Sequence, residues 1–277
     1  MMPSGSDPTA GISVTSLAPG GRRVVLITGF EANDPPHRNA SAVLVEALTE
    51  YLQELRRASG GAEVRTRIMP GDTMALSASL EAALDEQPWP THLLLLGQAP
   101  GRNKVTLYSV HVRTRKLRTS EMPLISGSTR QSIFGFSRGR SIERIATNLR
   151  DFGTPDRHGN LPRDVPIAHG GPAAFHSTWP EQRRLTAALN AAGIPAAMSN
   201  DAGNHLCNQL LYLALCAAAK RGQPCAVTFV HVPVLPQQVI DEEPMTMRHP
   251  NCPCLPLPML TEAVACLLRT TFSPNFL

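Results

Sequence analysis

Cys207 stands in SNDAGNHLCNQLLY, residues 199–212, where a turn-rich run gives way to an apolar, helix-like stretch. A thiol attacks as its thiolate, which is favoured at a helix N-terminus by unpaired backbone N–H groups and the helix dipole. The same N–H groups can hold the oxyanion of a tetrahedral intermediate. Two readings are open: a nucleophile, or a packed small hydrophobe, since free cysteine is among the most buried residue types. A nucleophile needs a base. His231 ends the apolar run AVTFV, and strand ends are where α/β folds display functional side chains. It either serves the thiol or caps the strand end through hydrogen bonds; a Cys and a His together strengthen the catalytic reading.

The elements that must position this pair alternate. RRVVLITGF (22–30) predicts a first core strand over 24–28, and THLLLLG (91–97) predicts a second, each apolar enough to be buried on both faces. SAVLVEALTEYLQEL (41–55) and ALSASLEAALDEQ (75–87) carry helical periodicity, and NKVTLYSVHV (103–112) is a third plausible strand. A helix from about residue 180 closes at Gly193, and a short strand leads into the Cys207 turn. A helix over 203–221 and the strand CAVTFVHVP (225–233) follow. This alternation argues for a layered α/β sheet in one domain spanning 22–277. Residues 1–21, rich in Ser, Gly and Pro, have the composition of a flexible arm. A weakly periodic segment at 113–150 reads as a long insertion. The Pro-dense stretch 235–258 is expected to wander over the surface before MLTEAVACLLRTTF (259–272) forms a last helix.

With 277 residues and a 42% hydrophobic share, the chain can bury one substantial core. The net charge of +4 concentrates in the 113–150 insertion, where Arg and Lys outnumber Glu121 and Glu143. A solvated surface segment accounts for that charge without a nucleic-acid partner. No secretory h-region opens the chain, because residues 1–20 are rich in Ser, Gly and Pro, and no apolar run approaches a membrane span. The six cysteines form neither a disulfide ladder nor a paired CxxC signature, so free thiols in a reducing cytoplasm are expected. His249, Cys252 and Cys254 fit no zinc spacing. GQAPGR (97–102) lacks the Lys-Ser/Thr of a P-loop. No metal or cofactor is expected.

Taken in order, VVLITGFE, LLLLGQAPGR, VPIAHGGPAAFHSTWP, GIPAAMSNDAGNHLCNQLLY and VTFVHVP resemble the pyroglutamyl peptidase I family, the pyrrolidone carboxyl peptidases. The similarity covers roughly 24–112 and 152–272. It implies a three-layer α/β/α sandwich with a central mixed, mostly parallel sheet, commonly assembled as a tetramer. It also implies a cysteine peptidase that releases an N-terminal pyroglutamyl group through a Cys-His-Glu triad. The nucleophile maps onto Cys207 and the base onto His231. Phe30, Asn33, Gln98 and Leu206 map onto substrate binding.

Three positions depart from the family. Its Ile-Thr-x-Glu-Arg-Val-Ala-Ile-Asn, set against VTLYSVHVR, puts Tyr108 at the place of the triad Glu. GFEANDP places Asn33 where the family has a second aromatic. The family's arginine near the oxyanion falls at Gly153, for which Arg150 or another basic residue of the insertion is the candidate substitute. A neutral tyrosine does not stabilise an imidazolium as a carboxylate does. The expected function is therefore a diverged cysteine hydrolase or acyl-transfer enzyme acting on a lactam, amide or N-acyl group of a small molecule or peptide N-terminus. The alternative is a catalytically impaired relative acting as a binding or scaffold protein.

Overall fold

The computed structural model describes residues 22–32, 37–100, 140–221, 224–248 and 252–272. The 1–21 arm, Asn33, Tyr108, the third predicted strand and His249 lie outside the described residues. Eight strands and eight helices follow in the order β1 (Val24–Phe30), α1 (Ala40–Glu50), α2 (Leu52–Ala58), β2 (Glu63–Met69), α3 (Leu76–Asp85), β3 (His92–Gln98), β4 (Arg140–Glu143), β5 (Ile145–Thr147), β6 (Ala174–His176), α4 (Gln182–Ala191), β7 (Ala196–Ser199), α5 (Leu206–Arg221), β8 (Ala226–Val232), α6 (Pro236–Ile240), α7 (Pro244–Met247) and α8 (Leu257–Phe272) among these residues.

Six strands form one sheet in the order β2-β1-β3-β8-β4-β7. All neighbours run parallel except β4 against β8. The fold is thus the α/β class with a mixed, mostly parallel sheet. Two hydrophobic clusters cover its faces. Val25, Ile27, Leu94, Leu96, Ile142 and Val230 pack on α1, α2, α4 and α8. Leu26, Leu93, Leu95, Val227 and Phe229 pack on α3 and α5. The period-2 alternation of a strand makes the division, since successive side chains leave opposite faces. Strands enclosed on both sides read as unbroken apolar runs; β1 and β8 are buried at every position. Burying one such Leu or Val side chain contributes about 1.5–3 kcal/mol.

Local chemistry sets the element ends. The Asn39 side chain caps α1 by accepting from Ser41 N–H at 3.0 Å. Gly193, at φ +73°, ends the α4 segment as the sequence predicts, in the left-handed conformation that favours glycine. Lys220 and Arg221 sit in the last turn of α5, where cations complement the helix dipole.

Two expectations change. Sequence patterning carries the insertion through Arg150, but β4 lies inside the sheet between β8 and β7, and Ile142 and Glu143 are fully buried. A strand of four residues is too short to show periodicity; the pairing on both sides makes it a strand. Nor does the Pro-dense stretch simply wander over the surface. It forms α6 and α7 and buries Gln238, Glu243 and Thr246.

Candidate active site

The sheet pleat puts a bare glycine and two candidate functional side chains on one face. Gly97 follows Leu93 and Leu95 by twos, so it faces α5, and it pairs in register with His231 of the parallel neighbour β8. His231 follows Val227 and Phe229 in the same way, and its ring lies 4.8 Å from that of Phe229, centroid to centroid. Glu143 pairs with Phe229 across the antiparallel β4·β8 ladder and faces α5 as well. Register thus brings a glycine, a histidine and a glutamate together beneath the start of α5.

Cys207, the second residue of α5, lies directly above. A Cβ added to Gly97 would sit 3.0 Å from Cys207 Sγ and 2.6 Å from Phe229 Cζ. Glycine here is a packing requirement, because its bare Cα makes room for the sulphur over the sheet. The residues after Cys207 fix the start of the helix. Asn208 accepts from Thr147 N–H at 2.8 Å and donates to the carbonyls of Thr147 and Leu149 at 2.8 and 3.0 Å. Gln209 accepts from Thr73 Oγ1 at 2.6 Å and donates to Thr73 O at 2.9 Å. Burial opposes charge on Asp156, but the Thr73 N–H, the Asn160 side chain and the N–H groups of Asn160 and His158 hold its carboxyl below the ordinary range.

His231 Nδ1 lies 2.8 Å from Glu143 Oε1, with both side chains buried. A carboxylate there accepts the Nδ1–H, which fixes the tautomer and leaves Nε2 as the basic nitrogen. The expectation that His231 lacks a glutamate is thereby corrected. The signal was present in the sequence: Glu143 to Asn148 reads Glu-Arg-Ile-Ala-Thr-Asn, which matches four of the last six positions of the family pattern that the resemblance sets against Tyr108. The segment from 101 to 139 displaces that pattern from its usual distance after GQAPGR.

A cavity of about 570 Å³ opens beside the thiol, and Phe30, Gln98, Leu206 and Cys207 line it. Gly153 and Thr154 form another part of its wall. His205 Nε2 lies 3.0 Å from Thr154 O and its ring stacks on Phe152 at 3.9 Å. Burial lowers the His205 pKa against the smaller opposing effects of Thr154 O and Asp156. Arg150 is not among the residues lining the cavity; its Nη2 donates to Pro166 O at 3.0 Å. Sequence reasoning missed Glu243, Pro244 and Met245, which close the cavity from the α6–α7 segment. Among the described residues no group of His, Cys, Asp or Glu could hold a metal.

The family model for pyroglutamyl peptidases matches residues 133–272. A pyrrolidone-carboxylate peptidase of Photorhabdus laumondii is 32% identical over 247 residues, covering 87% of this chain and 90% of that protein. The chain belongs to the pyroglutamyl peptidase family. A relative from Pyrococcus furiosus, also a pyrrolidone-carboxylate peptidase, is 32% identical over 79% of this chain and 84% of its own length. Among solved structures, a mutant pyrrolidone carboxyl peptidase of Pyrococcus furiosus superposes with a TM-score of 0.68 at 29% identity, covering 90% of this chain and 97% of that one. The pyroglutamyl peptidase I of Bacillus amyloliquefaciens gives 0.69 at 25% identity, over 91% and 96% of the two chains. The family match begins before β4 and so spans Glu143.

Proposed function

We propose that this member of a cysteine peptidase family removes an N-terminal pyroglutamyl group from peptides, with Cys207 as nucleophile, His231 as base and Glu143 as the group that orients His231. The contact between Glu143 and His231 carries the proposal. It supplies the carboxylate whose apparent absence motivates both the altered triad and the scaffold reading, so the ordinary chemistry is preferred.

The Cys207 sulphur, its proton taken by His231 Nε2, attacks the carbonyl carbon of the scissile amide and forms a C–S bond. The oxyanion is held by N–H groups in the first turn of α5, which have no intrahelical acceptor. The imidazolium, stabilised by Glu143, gives its proton to the leaving amine as the C–N bond breaks. Water, deprotonated by the same nitrogen, then attacks the thioester, releasing free pyroglutamate and restoring the thiol. Phe30, Gln98 and Leu206 bind the acyl group; Phe30 and Leu206 supply apolar wall to a ring of that size.

A reducing cytoplasm suits a nucleophile that must remain a thiol, and none of the six cysteines is in a disulfide. Among the described residues no helix is long and apolar enough to cross a membrane. Assembly as a homo-oligomer, implied by the resemblance, is open to sedimentation measurements.

The deciding experiment compares a pyroglutamyl-aminomethylcoumarin reporter with a panel of other lactam and N-acyl reporters, and follows alkylation of Cys207 by iodoacetamide. The expected outcome is preferred cleavage of the pyroglutamyl reporter, alkylation of native Cys207 faster than in denatured protein, and a fall in turnover on the order of 10⁴-fold or more in Cys207→Ala. Preference for another reporter overturns the substrate. Unchanged turnover in Cys207→Ala removes the mechanism.

A further inference from the structure

Glu243 is a buried carboxylate facing the cavity that also holds Cys207. It comes from the turn between α6 and α7, and two neutral donors hold it. Arg38 N–H reaches Oε1 at 3.2 Å, and Gln238 Nε2 reaches Oε2 at 2.9 Å. Among the described residues no cationic side chain pairs with it. An ionised carboxylate offers about four acceptor positions, so two bonds leave capacity for a further donor. Burying such a group without that donor is costly.

Gln98 is its neighbour on the same wall. Gln238 Nε2 lies 3.2 Å from Gln98 Oε1, and thus bridges the two side chains. Gln98 Oε1 also accepts from Ala40 N–H, while Gln98 Nε2 donates to Met245 Sδ. A thioether is a weak acceptor. The wall therefore presents a strong acceptor beside a donor that a carbonyl oxygen would satisfy better than sulphur does. A lactam edge, with its ring N–H next to its ring C=O, is the complement of that pair.

We propose that Glu243 is a specificity-determining residue, whose carboxylate accepts the ring N–H of the bound pyroglutamyl group. The inference rests on the function proposed above. It assigns the discrimination between a lactam and a ring of the same shape without the N–H to one side chain of the α6–α7 turn. Met245 swings off Gln98 when the ring carbonyl arrives.

The test uses the full-length enzyme, the pyroglutamyl reporter, and its carbocyclic analogue in which a methylene replaces the ring N–H. Wild type is expected to prefer the lactam by about 100-fold in kcat/KM, because the analogue leaves buried polar groups unpaired. Glu243→Gln and Glu243→Leu are expected to cut that preference by roughly 10-fold or more, mostly through KM of the lactam, with little change for the analogue. A merely structural carboxylate lowers both substrates in parallel and leaves their ratio alone. Iodoacetamide alkylation of Cys207 at the wild-type rate shows that the site is intact, and Glu243→Gln, nearly isosteric, decides the matter if Glu243→Leu does not fold. A ratio within about twofold of wild type in the folded variants overturns the role of Glu243 while leaving the proposed function standing. If wild type does not cleave the lactam reporter, both fall.

Discussion

Two buried histidines stand at opposite ends of the paired strands β3 and β8, and their surroundings divide the molecule. His92 opens β3, its ring 5.2 Å from that of Trp179 and 4.7 Å from that of Phe272. Its Nδ1 lies 2.8 Å from Thr91 Oγ1. Burial, helped by the positive charge of Arg23, lowers its pKa to about 4. His231, near the other end of β8, is equally buried but has Glu143 at 2.8 Å. Burial alone makes a histidine a neutral core residue; burial with a carboxylate makes one that can carry a proton through a reaction. A single contact separates packing from chemistry.

The hardest way to break that contrast is Glu143→Gln. The amide preserves shape but does not stabilise an imidazolium, and in a comparable triad the acid-to-amide change costs about 10⁴-fold in kcat. Because a thiolate is intrinsically nucleophilic, the expected loss here is about 10²–10⁴-fold in kcat/KM, with the fold retained by circular dichroism. Tyr108→Phe, made in parallel, is expected to leave the rate unchanged. Should Glu143→Gln keep wild-type turnover while Tyr108→Phe loses it, the glutamate is structural and the altered triad returns.

Why the sequence yields Cys207 and His231 but not Glu143 is a matter of which signals are local. A cysteine at the start of an apolar helix and a histidine at the end of an apolar strand announce themselves within a few residues. Glu143 sits on a strand of four residues beyond a long weakly periodic stretch, and its meaning depends on pairing with β8, a strand more than eighty residues later. β2 escaped for a different reason. As an edge strand reading EVRTRIM, it keeps three ion-paired residues, Glu63, Arg65 and Arg67, in place of an apolar run. The central strands β1, β3 and β8 were legible because burial on both faces makes them mostly apolar runs, interrupted only at positions such as Thr28, Thr228 and His231. Glu243 was hidden by proline content, which marks a break in regular structure but not the direction in which the chain then turns.

His92 sharpens the comparison from the other side, through stability. Its folded pKa of about 4 lies below the ordinary 6.5. As pH falls through 6.5 the unfolded chain takes up a proton that the folded chain refuses until about pH 4. Stability is therefore full above 6.5 and falls between 6.5 and 4, by roughly 3 kcal/mol at 1.36 kcal/mol per unit. His205, lowered in the same direction, and Asp156, whose carboxylate is held by N–H donors, both add acid sensitivity. The variant His92→Leu isolates the first contribution. Urea unfolding at pH 7 and pH 4.5 is expected to show a smaller acid loss in this variant, with turnover at pH 7 unaffected. An identical pH dependence in the two proteins would mean that His92 titrates normally.

Gly97→Ala is the smallest change and probes the seam where sheet meets helix. The added methyl would lie 2.6 Å from Phe229 Cζ and 3.0 Å from Cys207 Sγ, so ring, sulphur or strand must shift. Overpacking of this kind costs about 1–3 kcal/mol. The cost to catalysis is expected to be disproportionate, because a misplacement on the order of 1 Å can lower turnover about 100-fold. At the far end of β3, Leu93→Met changes core shape on the same face without approaching the thiol and is expected to cost less than about 1.5 kcal/mol with no separate loss of activity. If the two variants lose activity only in proportion to stability, Gly97 is an ordinary packing residue; a loss confined to Gly97→Ala ties the bare strand position to the placement of the sulphur.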